Sequence, residues 1–252
     1  MCGFAAFHHP EGLVPERAWL LAASGALRHR GPDDDGLLIE PGLGLAFRRL
    51  AIVDVASGHQ PLGNEDGTVW IAFNGEIYNH AALRRELLAA GHRYRTHSDT
   101  ETLVHAYEQW GPGFVRRLHG MFAFAIWDRP RRRLFVARDH VGIKPLYWTR
   151  ANGAFVCASE IKALFEFPGV ERRADPDAVV QHLTLRYAAA PRTLFAGIHK
   201  LPPGHSLTLE GGESKLERWW QPEYEPKQAL SADDALAEVE RRLRDSVRRH
   251  LM

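Results

Sequence analysis

Cysteine is nearly absent, with only Cys2 and Cys157 in 252 residues. Two thiols that far apart supply neither a disulfide framework nor a zinc-finger spacing. The 14 histidines are scattered, with no HExxH pair and no cysteine partner set, so the sequence alone argues no metal site. Net charge is scarce too: 32 basic against 31 acidic side chains leave +1, which is no footprint for nucleic acid. Apolar runs of membrane-spanning length are missing, and the first 20 residues lack the basic-then-apolar order of a secretory signal. A nucleic-acid binder, a membrane protein and a disulfide-stapled secreted module are thereby disfavoured, and a cytoplasmic location is expected. The one basic cluster, "RPRRR" at 129–133, reads as a charged turn and strand edge that resists edge-to-edge pairing.

The composition that remains is 45% apolar, enough for one substantial core or for one domain plus part of another. In "PERAWLLAASGALRH", Trp19, Leu20, Ala23, Ala26 and Leu27 form a helical stripe, with Pro15 at its start and Gly31 beyond its end. Short β-prone runs follow: "GLLIE", "GLAFRRLAIVD" and "TVWIAF". Two amphipathic helices come next, "NHAALRRELLAAGH" and "SDTETLVHAYEQWG", the second opened by a Ser98-x-x-Glu101 capping box. The runs "MFAFAIWD", "RLFVARD", "PLYWT" and "AFVCAS" predict a meander of sheet before the short helical "EIKALF". Long crossovers, which parallel strands require, are few, so the fold class is α+β: helix, sheet, sheet and helix in four layers.

The last segment differs. After "LPPGHSLTL" and "QPEYEP", a helix capped by Ser231 carries Leu236, Val239, Leu243, Val247 and Leu251 on one face. It is either tucked onto the preceding domain or the start of a second one.

The opening "MCGF" places Cys2 behind the initiator methionine. Removal of Met1 would give Cys2 a free α-amine, a base on the same residue as the thiol, whereas retention would block it. Acyl transfer also needs oxyanion donors, and Asn74-Gly75 in "WIAFNGEIYN" offers them at the end of an apolar strand, Gly75 permitting an unusual backbone angle and close approach of substrate. Asn-Gly is also the commonest hairpin turn, but a helix rather than a second strand is expected to follow. Arg49 can take a carboxylate bidentately, and Glu76 with Asp99 can take an ammonium, so the three suit the head group of an amino acid.

Together "MCGF", "RHRGPDDDG", "RRLAIVD", "HQPL", "FNGEIYN", "SDTETL", "GMFAFAIWD", "ARDHVGIKPLY", "ASEIKAL" and "KLPPGH" resemble the N-terminal glutaminase domain of glutamine-dependent asparagine synthetases, among the N-terminal-nucleophile (class II) amidotransferases. The resemblance implies an αββα sandwich over residues 2–222, with 223–252 as the linker and first helix of a truncated synthetase domain. It implies that Cys2 attacks the glutamine side-chain amide, that Asn74 and the Gly75 N–H form the oxyanion hole, and that Arg49 holds the α-carboxylate beside the Leu50, Ile52 and Val53 backbone. Glu76 and Asp99 then hold the α-ammonium, and Arg30 is a candidate gate. No cofactor is implied for the glutaminase step; ATP and Mg would belong to the missing synthetase domain, which is the expected partner, with a homodimer as a candidate assembly. Two departures from the family pattern are Ala6 for a common Gly and Phe47 for a common His. A non-catalytic scaffold, or an amidotransferase serving another carboxylate acceptor, stays open beside this reading.

Overall fold

A computed structural model describes residues 1–51, 57–227 and 229–251. The first half of the chain gives β1 (Gly3–His8), α1 (Arg17–Ala26), β2 (Asp34–Glu40), β3 (Leu43–Arg49), β4 (Leu62–Gly63), β5 (Val69–Ile77), α2 (His80–Ala89) and α3 (Asp99–Trp110). A 3-10 turn over 111–117 leads to β6 (Gly120–Asp128), β7 (Arg133–Arg138), β8 (Tyr147–Ala151), β9 (Ala154–Ala158) and α4 (Ile161–Leu164). The remainder is α5 (Pro176–Leu185), β10 (His199–Lys200), β11 (His205–Glu210), β12 (Glu213–Arg218) and α6 (Ala232–His250).

The strands form two antiparallel sheets, ordered β10-β8-β9-β1-β3-β2 and β12-β11-β7-β6-β5-β4. Strand alternation decides the layers, because successive side chains leave opposite faces. On β1, Phe4 and Ala6 face the other sheet while Ala5 and Phe7 face helices. On β6, Ala123, Ala125 and Trp127 face between the sheets, and Phe122, Phe124 and Ile126 face α3 and the 3-10 turn. Helices α1 and α4 cover the first sheet and α2 and α3 the second, which completes the αββα sandwich. Ala6 and Phe47, the two departures, both lie in the inter-sheet layer, where Phe47 pairs with Phe4 across β1 and β3.

Several expectations need correction. The four runs from "MFAFAIWD" to "AFVCAS" are not one meander: β6 and β7 belong to one sheet, β8 and β9 to the other. "RPRRR" lies on the β6–β7 hairpin inside its sheet, not at an edge. Three of its four arginines are matched with acids: Arg129 with Glu40 at 2.6 Å, Arg131 with Asp128 at 3.2 Å and Arg133 with Glu210 at 2.7 Å. The Ser98 cap forms, accepting from the Thr100 N–H, but Glu101 accepts from the Arg95 and Thr96 N–H groups upstream of the cap. Three of the four sheet edges are two-residue strands, β10 and β4, or carry charge, as on the wholly exposed β12; the fourth, β2, is seven residues long. On α6, capped by Ser231, no described residue is buried, and its apolar stripe faces outward.

β5 does not end at Asn74-Gly75; it runs on to Ile77, paired with β6 throughout. Gly75 is therefore an extended strand residue and not one of the positive-φ glycines. Close packing is what demands glycine: a Cβ there would stand 2.3 Å from the Met121 carbonyl oxygen and 2.8 Å from Phe122 Cα. Gly75→Ala should destabilise the fold by about 1–3 kcal/mol, measured as a lower denaturant midpoint with unchanged slope.

Candidate active site

At one end of the sandwich the inward-facing positions change from apolar to polar. Cys2 shares its face with Phe4 and Ala6, Arg49 follows Leu45 and Phe47 on β3, and Asn74 and Glu76 follow Ala72 on β5. Alternation thus sends these four side chains toward the gap between the sheets. They line a cavity of about 180 Å³ together with Leu50, Gly75, Asp99 and several residues that the motifs did not single out. Ile52 and Val53 lie outside the described residues.

Cys2 Sγ accepts from the Leu50 N–H at 3.4 Å and lies 3.6 Å from the Leu50 carbonyl oxygen. Burial pushes the thiol's pKa up, opposed by the Leu50 hydrogen bond and by nearby positive charge including Arg49 and Lys144. A thiol in this setting needs a local base to become a nucleophile. Met1 lines the same cavity and bears the terminal amine, whose pKa burial lowers. With Met1 attached, the Cys2 nitrogen is an ordinary peptide nitrogen. Cys157 sits wholly buried between the sheets, its thiol driven further up by burial, and acts as a small core residue.

Asn74 is 1% exposed, and its Nδ2 has no hydrogen-bond partner among the described residues. An orphaned buried donor costs roughly 1–3 kcal/mol, so one that borders a cavity points to an acceptor arriving from outside. Arg49 is buried at the end of β3, beside the loop carrying Arg30 and Asp33. That loop lies tight against the strand because Gly31 has no side chain: a Cβ there would be 2.4 Å from the Arg48 carbonyl carbon. Arg30 donates to the Cys2 carbonyl and to Glu160, each at 2.9 Å, so in this structure it braces the residue bearing the thiol.

Asp99 opens α3 and accepts from the Ile77 N–H at 2.9 Å, which anchors the helix start to the end of β5. Burial lifts its carboxyl to about 6, helped by the Glu76 charge and opposed by the Ile77 and Thr100 N–H groups. Glu76 lines the same cavity, close enough for its charge to raise Asp99, so the cavity holds these two acids together with the cations Arg49 and Lys144.

Gln60 was not legible as part of this site. Its Oε1 accepts from the Phe73 N–H at 2.7 Å and its Nε2 donates to Thr100 at 3.2 Å, stitching β5 to α3. "HQPL" was the only signal for it. Lys144, from "GIKPL", also reaches the cavity, and burial lowers its pKa against the favourable charge of Glu76.

Residues 1–220 match the model of a glutamine amidotransferase domain. "Asparagine synthetase [glutamine-hydrolyzing] 3" and "1" of Bacillus subtilis (strain 168) are 37% and 38% identical to the chain; each alignment covers 100% of it and 42% or 40% of the relative. "Asparagine synthetase [glutamine-hydrolyzing] 3" of Arabidopsis thaliana is 47% identical over 88% of the chain and 33% of its own length. The chain thus spans about two fifths of the B. subtilis relatives. Among solved structures, the glutamine phosphoribosylpyrophosphate amidotransferase of B. subtilis superposes with a TM-score of 0.61 at 20% identity, covering 88% of this chain and 50% of that one. An "allosteric regulatory enzyme of purine biosynthesis" gives 0.63 at 19%, with the same coverage, and both show a shared fold. Fold, sequence match and the polar end of the sandwich agree: the chain belongs to the glutamine amidotransferase domain family.

Proposed function

We propose that this domain hydrolyses glutamine to glutamate and ammonia, with Cys2 as the nucleophile. The observation that carries the reading is the unpartnered Asn74 Nδ2 bordering the cavity that Cys2 also lines. Once Met1 is removed, the Cys2 α-amine takes the thiol proton as sulfur attacks the side-chain amide carbon. The carbonyl oxygen becomes an oxyanion and receives the Asn74 Nδ2–H, with the Gly75 N–H as the second donor. The proton is then passed to the departing nitrogen, ammonia leaves, and a thioester remains. Water cleaves that thioester to glutamate and restores the thiol. Through both halves Arg49, beside the Leu50 backbone, holds the α-carboxylate, while Glu76 and Asp99 hold the α-ammonium.

The relatives' names join glutamine hydrolysis to asparagine synthesis. For a longer protein carrying this domain, we propose that the ammonia feeds ATP-dependent amidation of aspartate in a C-terminal domain, where ATP and Mg would bind. Residues 2–222 would form the glutaminase domain, and α6 would belong to the next. The outward stripe of Leu236, Val239, Leu243 and Val247, each more than half exposed, supports a helix that packs elsewhere. A cytoplasmic location fits two cysteines that remain free thiols.

Intact mass should show Met1 gone, and Cys2→Ala should abolish ammonia release while retaining glutamine binding by calorimetry; full turnover in that variant overturns the assignment. Asn74→Ala should lower kcat about 10²–10³-fold with a smaller change in KM. An Asp99 carboxyl near 6 is neutral below that pH and cannot pair with an ammonium. Glutamine affinity of the Cys2→Ala protein should therefore weaken by up to about tenfold per pH unit below about 6, and Asp99→Asn should bind weakly at every pH, without that limb.

A further inference from the structure

Toward the other end of α3 from Asp99, two imidazoles converge on one carboxylate. His105 Nδ1 lies 2.9 Å from Glu108 Oε2, and His92 Nδ1 lies 3.8 Å from the same atom. Their outer nitrogens face acceptors: His92 Nε2 is 3.1 Å from Gln109 Oε1, and His105 Nε2 is 3.7 Å from Glu101 Oε1. An amide oxygen only accepts, so the His92 tautomer that satisfies Gln109 Oε1 has its proton on Nε2 and turns the Nδ1 lone pair toward Glu108. A lone pair and an anionic oxygen repel unless a cation stands between them. Glu65 adds another carboxylate, its Oε2 3.8 Å from His105 Nδ1. Arg95, which enters this corner, directs its guanidinium to the carbonyl oxygens of Gly63 and Asn64.

We propose that His92, His105 and Glu108 bind a divalent transition-metal ion of the zinc class. Ligand atoms around a tetrahedral zinc with bonds of about 2.0–2.1 Å stand roughly 3.4 Å apart. Glu108 Oε2 stands 2.9 Å from His105 Nδ1 and 3.8 Å from His92 Nδ1, on either side of that value. Two imidazoles with a carboxylate are a borderline donor set, suited to zinc rather than to magnesium or calcium. Gln109 supplies the outer hydrogen-bond partner that orients His92, and Asn64 Nδ2 holds the other oxygen of Glu108 at 2.7 Å. The ion would tie α3 to the segment after α2, and Asn64 links Glu108 to the β4–β5 turn. Its role is to brace the helix whose first turn carries Asp99, apart from the reacting atoms at Cys2. The rival arrangement is a proton in place of the metal, with a cationic His105 bridging Glu101 and Glu108.

The test uses the full chain carrying Cys2→Ala, so that no exposed thiol competes, after treatment with a chelator. Titration with Co²⁺ followed by absorption, and with Zn²⁺ by calorimetry, should show one equivalent bound in a nitrogen and oxygen ligand field and a raised thermal midpoint. His92 and Glu108 are partly exposed, at 14% and 24% of their side chains, so their variants should fold. His92→Ala and Glu108→Gln should each weaken binding more than about 100-fold, and Gln109→Ala, which releases only the His92 ring, about 10–100-fold. Failure of the stripped protein to take up one equivalent, or uptake unaffected by His92→Ala and Glu108→Gln, overturns the proposal.

Discussion

Everything at the candidate site depends on how two sheets meet. Their shared layer mixes small residues, Ala6, Ala72, Ala123 and Ala125, with large ones, Phe4, Phe47 and Trp127. Small side chains let the sheets approach, and strict alternation fixes which residues face inward. Continuing the same three strands by one or two inward positions reaches Cys2, Arg49, Asn74 and Glu76. The polar end of the sandwich is thus the core pattern continued with different chemistry. A one-residue slip of β5 against β6 would turn Asn74 and Glu76 toward the helices and dismantle the cavity.

The site also keeps groups that folding alone would not favour. Asn74 has a buried donor without a partner, Asp99 is a carboxyl lifted by burial, and the Cys2 thiol is pushed up by burial. Each is held in place by satisfied neighbours: β6 pairs with β5 at Asn74, the Ile77 N–H bonds Asp99, and the Leu50 N–H meets Cys2. Local rules are broken where a ligand would complete them and obeyed around the rim.

Much of this was legible from the chain. Periodicity located α1, α2, α3 and the inner strands because their apolar residues recur at a single period. Cys2, Arg49, Asn74, Glu76 and Asp99 stood out because they sit in or beside such runs, and the structure brings all five to one cavity. Helix α5 went unread, since only Ala178 on it is buried and it shows no stripe to detect. Strands β11 and β12 were hidden behind "LPPG" and an all-exposed "ESKLER". Gln60 acts through a side chain bonded to a backbone 13 residues away, and no local pattern encodes that. Gly75 was noticed for the wrong reason, because close approach by a neighbouring strand is invisible in one dimension. His92 and His105 look scattered along the chain, and they meet only because the segment after α2 folds back on α3.

The sheet margins carry a further consequence. β4 and β10 are two residues long, and β12 presents Glu213, Lys215, Glu217 and Arg218 along a solvent-facing rim. Such rims offer an incoming chain little unpaired backbone and a fence of charge. Templated stacking is discouraged at those three rims, whereas β2, the fourth edge, is seven residues long and carries Leu37, Leu38 and Ile39, so any strand-to-strand association is directed to that one margin.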